Sequence, residues 1–264
     1  MKNPLLFFLL LLICFPLFSQ EIAQEELSEI LLEGTYTGHN IYILNPNQDD
    51  RFCVQKVVLN GKSYAFANHS NAFEINLSGF MPNDFIVIQI FHTPNCTPTI
   101  INRDKLKKVT EFSLPSFVYN KKTKMLTWDA SELTDHYEYD LEQLLYGKWI
   151  KIKYLGTTSD MFANNYLPVL LSGMNYFRIK QVDNQGKELY STIVNVKSPN
   201  QHIMLITDKV KDAVEFTDVT HYELYDENGF FIKRGTAKKI NVADLNKGIY
   251  WLNFDGNEIR ITKK

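Results

Sequence analysis

The sequence has no excess charge of either sign, few cysteines and a single long apolar run, and each shortage removes a class of function. Its 28 basic and 30 acidic residues give a net charge of -2 over 264 residues, so there is no polybasic footprint for nucleic acid or an anionic bilayer. Glycine (12) and proline (9) stay near average while apolar residues reach 45%, which excludes collagen-like, low-complexity and disordered chains. No Gly-rich phosphate loop, dinucleotide fingerprint or Gly-x-Ser-x-Gly elbow occurs, so the common signatures of nucleotide binding and serine hydrolysis are missing. His39, His69, His92, His136, His202 and His221 never take the i, i+4 spacing of a helical zinc site. Asp129, Glu132 and Asp135 cluster without the alternating ligands and glycine of a calcium loop. No metal, cofactor or catalytic residue is therefore expected.

The one long apolar run is Leu5 to Cys14, behind Lys2 and ahead of Phe15-Pro16-Leu17-Phe18-Ser19-Gln20. It is shorter than the roughly 20 residues that cross a bilayer, and the polar segment from Glu21 predicts a signal peptide over 1–20, cut after Ser19 or Gln20. A lipoprotein reading would use Cys14, but Ile13 stands where processing wants a small residue. No later stretch is apolar enough to span a membrane. Loss of Cys14 leaves Cys53 and Cys96 in an oxidising compartment, and one disulfide is expected. Closing a loop of about 44 residues corresponds to roughly 4 kcal/mol in the chain-entropy account.

Abundant Tyr (14) and Phe (18), with short alternating runs of β-branched and aromatic residues, predict an all-β fold. Ala23, Leu27, Ile30 and Leu31 fall at helical spacing, so a short acidic helix is expected over 21–33. A disulfide-pinned β-sandwich is expected over 34–103, with strands near 41–43, 52–59, 72–77 and 85–91 and an Asn60-Gly61 hairpin. After a polar connector at 104–111, a second sandwich occupies 112–198, with strands near 112–114, 124–128, 137–141, 149–154, 176–182 and 190–196. In the fifth of these Phe177 and Ile179 alternate with Arg178 and Lys180, as a half-buried strand requires. A third module follows Ser198-Pro199-Asn200, with a turn at Asp226-Glu-Asn-Gly229 and a hairpin at Asp255-Gly256. Trp128 and Trp251 sit in strand contexts, whereas Trp149, after Tyr146-Gly147-Lys148, is the candidate exposed platform for a ligand.

Two resemblances sit on these modules. Lys124-Met-Leu-Thr-Trp128 resembles the Trp-bearing second strand of a fibronectin type III domain. Gly173-Met-Asn-Tyr-Phe-Arg-Ile-Lys-Gln-Val-Asp-Asn-Gln-Gly186 is similar to the sixth strand and turn of the version common in Bacteroidetes exported proteins, with Asn175 at the place of the usual corner tyrosine. That family implies a spacer or binding module. The segments Glu223-Leu-Tyr-Asp-Glu-Asn-Gly229, Ile240-Asn-Val-Ala-Asp-Leu-Asn-Lys-Gly-Ile-Tyr250 and Ile259-Arg-Ile-Thr-Lys-Lys264 resemble the C-terminal sorting domain of the type 9 secretion system. Tyr225, Asp226, Gly229, Leu245, Gly248, Tyr250 and Lys263 carry that resemblance, and Gln201-His-Ile-Met-Leu-Ile-Thr-Asp-Lys-Val210 stands where a Pro-Asn-Pro element usually opens it.

The resemblances imply an exported, non-enzymatic protein that works by protein contact. The first expectation is an accessory, adaptor or plug-like subunit, periplasmic or outer-membrane associated, whose partner belongs to the outer membrane or the secretion machinery. The alternative is a cargo displayed on the cell surface as a glycan- or protein-binding module. A third reading, an enzyme with an unrecognised site in the first module, has no residue pattern behind it.

Overall fold

The computed structural model describes residues 27–48, 50–108, 110–157, 164–199, 202–207 and 209–264. The signal peptide expected over 1–20, the start of the expected helix at 21–26, and Asn200 lie outside the described residues. Three β-modules follow one another, and every strand pairing within their sheets is antiparallel.

Module 1 contains β1 (Ser28–Tyr36), β2 (Ile41–Leu44), β3 (Asn47–Gln48), β4 (Arg51–Phe52), β5 (Val54–Leu59), β6 (Lys62–Tyr64), β7 (Ala72–Ile75), β8 (Phe85–His92), β9 (Thr99–Ile100) and β10 (Leu106–Lys107). A five-stranded sheet, β10-β1-β8-β5-β6, faces a three-stranded one, β7-β2-β9, and β3 pairs with β4. Ile41, Ile43, Val57, Ile75, Ile86, Ile88 and Ile90 fill the space between them. Residues 28–33 are strand, which corrects the helix expected over 21–33. Ile30, Leu32 and Tyr36 pack on the module core while Leu31 packs on a second apolar cluster with Val87, Leu144 and Tyr176. A segment with apolar neighbours on both sides is served by the two faces of a strand, and β8 offers eight paired residues from Ser28↔His92 to Thr35↔Phe85. Cys53 and Cys96 form the expected disulfide, with Cα atoms 5.3 Å apart. Beside it, the buried His92 donates from Nδ1 to the carbonyls of Cys96 (2.8 Å) and Thr93 (2.9 Å), fixing the turn that carries Cys96.

Module 2 contains β11 (Val118–Asn120), β12 (Met125–Thr127), β13 (Glu138–Leu145), β14 (Lys148–Gly156), β15 (Asn165–Tyr166), β16 (Met174–Val182), β17 (Glu188–Tyr190) and β18 (Val194–Lys197). The sheets are β11-β12-β15 and β14-β13-β16-β17, with β18 also paired to β16, around Leu126, Trp128, Tyr139, Leu141, Phe177 and Ile179. This is a β-sandwich, two antiparallel sheets closed over one core. Residues 112–114 are not a strand: Phe112 donates its N–H to the Tyr190 carbonyl at 2.9 Å and Leu114 is buried in an irregular run ahead of Pro115. The strand expected over 190–196 is broken into β17 and β18, because Ser191 leaves the ladder to bond the Ile179 N–H through its hydroxyl. Asn175, 2% exposed, forms the corner. Its Oδ1 accepts from the Leu171 N–H (2.8 Å) and its Nδ2 donates to the Leu171 carbonyl (2.8 Å), the backward reach that a corner tyrosine otherwise makes.

Module 3 contains β19 (Ala213–Asp226), β20 (Phe231–Asn241), β21 (Gly248–Phe254) and β22 (Asn257–Lys263), in the order β20-β19-β21-β22. A register shift between Glu215 and Thr220 bends the long hairpin. Phe216 thereby meets Phe254, ring centroids 4.8 Å apart, over Val214, Leu224, Ile240, Val242 and Leu252.

Candidate functional site: the junctions between modules

Modules 1 and 2 meet at two hairpin turns set back to back. Asn60-Gly61 (φ +47° and +79°) joins β5 to β6, and Tyr146-Gly147 (φ +51° and +72°) joins β13 to β14 in the same turn type. A Cβ on Gly61 would lie 1.9 Å from the Tyr146 carbonyl oxygen, and one on Gly147 would lie 1.9 Å from the Gly61 nitrogen. Both glycines thus serve a left-handed turn and a backbone contact that admits no side chain. Tyrosine is an unusual residue for positive φ, and its side chain supplies the reason. The Tyr146 hydroxyl donates to the His221 carbonyl at 2.5 Å, linking the same turn to module 3. Burial pushes that phenol well above its ordinary pKa, with the carboxylates of Glu223 and Asp255 adding to the shift, so it remains a donor.

Beside the turns, Arg178 stands almost fully buried with its guanidinium 3.8 Å from the Tyr190 ring centroid and 4.2 Å from that of Trp149. Its Nε donates to Glu142 Oε2 at 2.8 Å, and Nη1 lies 3.9 Å from Glu33 Oε1 on β1. Trp149 Nε1 donates to Glu33 Oε2 at 2.8 Å. Burial raises the pKa of Glu33, opposed by the Trp149 hydrogen bond and the Arg178 charge, and burial likewise raises that of Glu29. Trp149 is therefore half-buried intermodule packing, which corrects its reading as an exposed platform. Arg178 also departs from the outward position that strand alternation gave it, because module 1 covers that face of the sheet.

Modules 2 and 3 join through Asp255, the residue that opens the Asp255-Gly256 turn (φ +46° and +72°). Its side chain is buried. Oδ1 accepts from the Ser172 N–H at 2.5 Å, and Oδ2 accepts from the Ser172 hydroxyl at 2.6 Å and the Ile203 N–H at 2.8 Å. His221, 8% exposed on the same junction, shares a 2.7 Å hydrogen bond with the Thr236 hydroxyl, and burial pushes its pKa down to about 4.

Three concave surfaces open on these junctions. The largest, about 820 Å³, runs over Val118, Tyr119, Leu167, Met174, Val194 and Val219. A cleft of about 340 Å³ brings together Lys62, Lys148, Tyr225 and Trp251 from all three modules. A third, about 220 Å³, lies between Ile150, Lys151 and Ile152 of β14 and Arg234, Gly235 and Thr236 of β20. Among the described residues no group of three or more His, Cys, Asp or Glu is arranged to hold a metal. Asp129 instead caps a short 3-10 turn, accepting from the Ser131 hydroxyl and N–H, which lowers its pKa, and Glu132 accepts from Ser116.

The residues that carry the sorting-domain resemblance mostly serve the fold of module 3. Asp226 Oδ1 accepts from the N–H groups of Asn228 and Phe230 (2.9 Å each), and Gly229 takes the positive φ of that turn (+83°). Tyr225 donates to Glu223 at 2.5 Å, Leu245 packs on the core, and the buried Tyr250 donates to the Asn246 carbonyl at 2.8 Å. Gly248, φ +159°, is nearly extended and opens β21, so no turn at that point demands glycine. Lys263, 7% exposed, drives its ammonium onto the carbonyls of Val242 (2.7 Å), Lys211 (2.8 Å) and Ala243 (3.4 Å), fastening the last strand.

Residues 193–264 match the secretion system C-terminal sorting domain. The match opens just ahead of β18 and takes in all of module 3, and a domain of this kind implies export. No curated protein matches the chain. Similar solved structures include the chicken CNTN1 FN1–FN3 domains, 10% identical, covering 88% of this chain and 97% of that one with a TM-score of 0.20. Another is Bacteroides ovatus SGBP-B of a mixed-linkage glucan utilization locus, 12% identical, covering 85% and 63%, with a TM-score of 0.19. A third is dimeric latent PorU from Porphyromonas gingivalis, 11% identical, covering 90% of this chain and 30% of that one, with a TM-score of 0.16. Among the described residues no helix is long and apolar enough to cross a membrane.

Proposed function

We propose that this is an exported interaction protein without catalytic activity, in which the sorting-type module is a permanent part of the body. The Asp255 junction carries the reading. A detachable address tag needs a boundary that separates after one cut, whereas the buried Asp255 carboxylate of module 3 holds Ser172 of module 2 by two hydrogen bonds and is itself held by a third from Ile203 within module 3. Charge-assisted hydrogen bonds of this kind are the strong ones, and a carboxylate left buried without them is costly. The role that follows is an accessory, adaptor or plug-like subunit, periplasmic or on the inner side of an outer-membrane assembly linked to type 9 secretion or gliding. The match over residues 193–264 supports a second reading, a cargo displayed on the cell surface whose first two modules bind a glycan or a protein.

Cell fractionation with intact-mass analysis separates the two. Retention predicts a mass reduced only by residues 1–19 or 1–20, found with the periplasm or outer membrane. Extracellular protein that has lost module 3 overturns it and establishes cargo. A pull-down from outer-membrane extracts that recovers no membrane protein counts against the adaptor role.

A further inference from the structure

We infer that the groove of about 820 Å³ along module 2 binds a free long-chain fatty acid, with the acyl chain on its apolar walls and the carboxylate at the turn between β11 and β12. Four large apolar side chains that the folded chain leaves in water meet there. Val118, Leu167, Met174 and Val219 are 39–62% exposed, and all four line the groove. Its volume falls within the ~300–1,000 Å³ range of small-molecule sites. The wall at residues 167–170 is held in place by the protein itself, because the fully buried Gln143 donates from Nε2 to the Val169 carbonyl at 3.1 Å. Module 3 contributes Asp218 and Val219.

The chemistry of the lining identifies the occupant. Lys121 and Lys124 belong to one turn, in which Asn120 Oδ1 accepts from the N–H groups of Lys122 (2.9 Å) and Thr123 (3.2 Å), so both charges sit at one end of the β11–β12 pair. Both line the groove, both are exposed, and neither has an ion-pair partner among the described residues. Lys197 lines it as well, against a single carboxylate, Asp218, whose Oδ1 accepts from the Val219 N–H at 2.7 Å. Apart from these charged groups, Tyr119 and Asn195 are the polar side chains of the lining among the described residues, and the rest is apolar. Against such walls a sugar or a peptide would leave hydroxyl or main-chain groups unbonded, which is costly, whereas an acyl chain has none to satisfy. The spacing excludes an inserted strand in addition: β11 and β18 approach within 8 Å between Cα atoms, and a strand between them needs about 9.5 Å. A second copy seated on the same groove would set lysine against lysine. The net charge of -2 over the whole chain offers no basic face to a bilayer, so the source is the free acid.

This site goes beyond the interaction-protein reading, since neither a protein partner nor retention of module 3 enters it. Its test uses the purified chain, residues 21–264 with the disulfide intact, and isothermal titration calorimetry with dodecanoate, tetradecanoate and hexadecanoate below their micelle concentrations. The expected result is saturable binding that tightens about tenfold for every two added methylenes. Dodecyltrimethylammonium, which has the chain but the opposite charge, is expected to bind at least tenfold more weakly than dodecanoate. The double variant Lys121→Glu/Lys124→Asp, with aspartate at 124 because the backbone there takes φ +59°, is expected to weaken hexadecanoate at least tenfold at an unchanged melting temperature. Leu167→Asp, on a side chain that is mostly exposed, should do the same. Affinity that does not grow with chain length means ion pairing at the surface only and overturns the site, as does equal binding of the two head groups. Capture of phosphatidylglycerol vesicles without binding of free hexadecanoate makes this a membrane contact and overturns the fatty-acid assignment. Binding of an octapeptide alternating Glu and Leu, where the fatty acids do not bind, gives the groove to a protein segment and overturns it equally. Absence of saturable binding by all three acids overturns it outright.

Discussion

Replacing Arg178 by methionine tests whether modules 1 and 2 form one cooperative body. The guanidinium is the cation for Glu142 and the near neighbour of Glu33, both carboxylates being almost fully withdrawn from water. Removing one partner of a buried ion pair costs about 3–5 kcal/mol, because the remaining charge keeps its desolvation without its counter-charge. Lys180, 3.6 Å from Glu142 Oε1, compensates in part and places the expected loss at the lower end, about 3 kcal/mol. For a body of this size such a loss lowers the melting temperature by roughly 6–12 °C. Arg178→Lys keeps the charge but loses the flat contact with Tyr190 and Trp149, and about 1–2 kcal/mol is expected. The assay is urea unfolding followed by tryptophan fluorescence, because Trp149 sits in the cluster. The paired variant Arg178→Met/Glu142→Leu should regain at least half of the loss, since an apolar pair of similar volume has no charge to strand. A midpoint for Arg178→Met within about 0.5 kcal/mol of the parent, the usual range for surface changes, would refute the buried-cluster argument.

The remaining predictions concern separate parts of the molecule. Replacing Cys53 and Cys96 together by alanine should lower the stability of module 1 by about 4 kcal/mol, measured by calorimetry against the oxidised parent, and an unchanged midpoint counts against a structural disulfide. Asp255→Ala should cost about 2–4 kcal/mol and expose the segment near residue 203 to limited proteolysis, whereas equal cleavage rates would sever the proposed link between modules 2 and 3. Because burial holds His221 at about 4 against an ordinary value near 6.5, the unfolded chain takes up its proton first as pH falls. The His221 contribution is therefore lost between about pH 6.5 and 4 and amounts to roughly 3 kcal/mol. Glu29 and Glu33, whose pKa values burial raises, act with the opposite sign at the acidic end. The difference between the parent and His221→Gln isolates the histidine, and parallel pH profiles would refute it. Lys263→Met should destabilise module 3 by about 2 kcal/mol through the carbonyls left without their ammonium, read from amide exchange in β22.

Much of the architecture was legible in the sequence because it is local. Period-two alternation found the strands of 41–43, 85–91 and 176–182, Asn60-Gly61 and Asp255-Gly256 announced their turns, and two cysteines left one possible bridge. Those signals depend on backbone conformation over a few residues, which side-chain chemistry nearby controls. The segment 28–33 was misread because its apolar residues satisfy two cores, and one of those belongs to another module. Local rules make Trp149 a platform, Arg178 an outward strand residue and Asp255 a turn residue, and they assign Tyr146 no role. In the folded protein they hold the modules together. Arg178 and Asp255 became buried only when a distant part of the chain covered them, and the free energy of a buried charge depends on partners more than 30 residues away. The sequence alone thus determined the strands and their turns, while tertiary packing decided which faces meet, because burial is a property of what arrives from elsewhere in the chain.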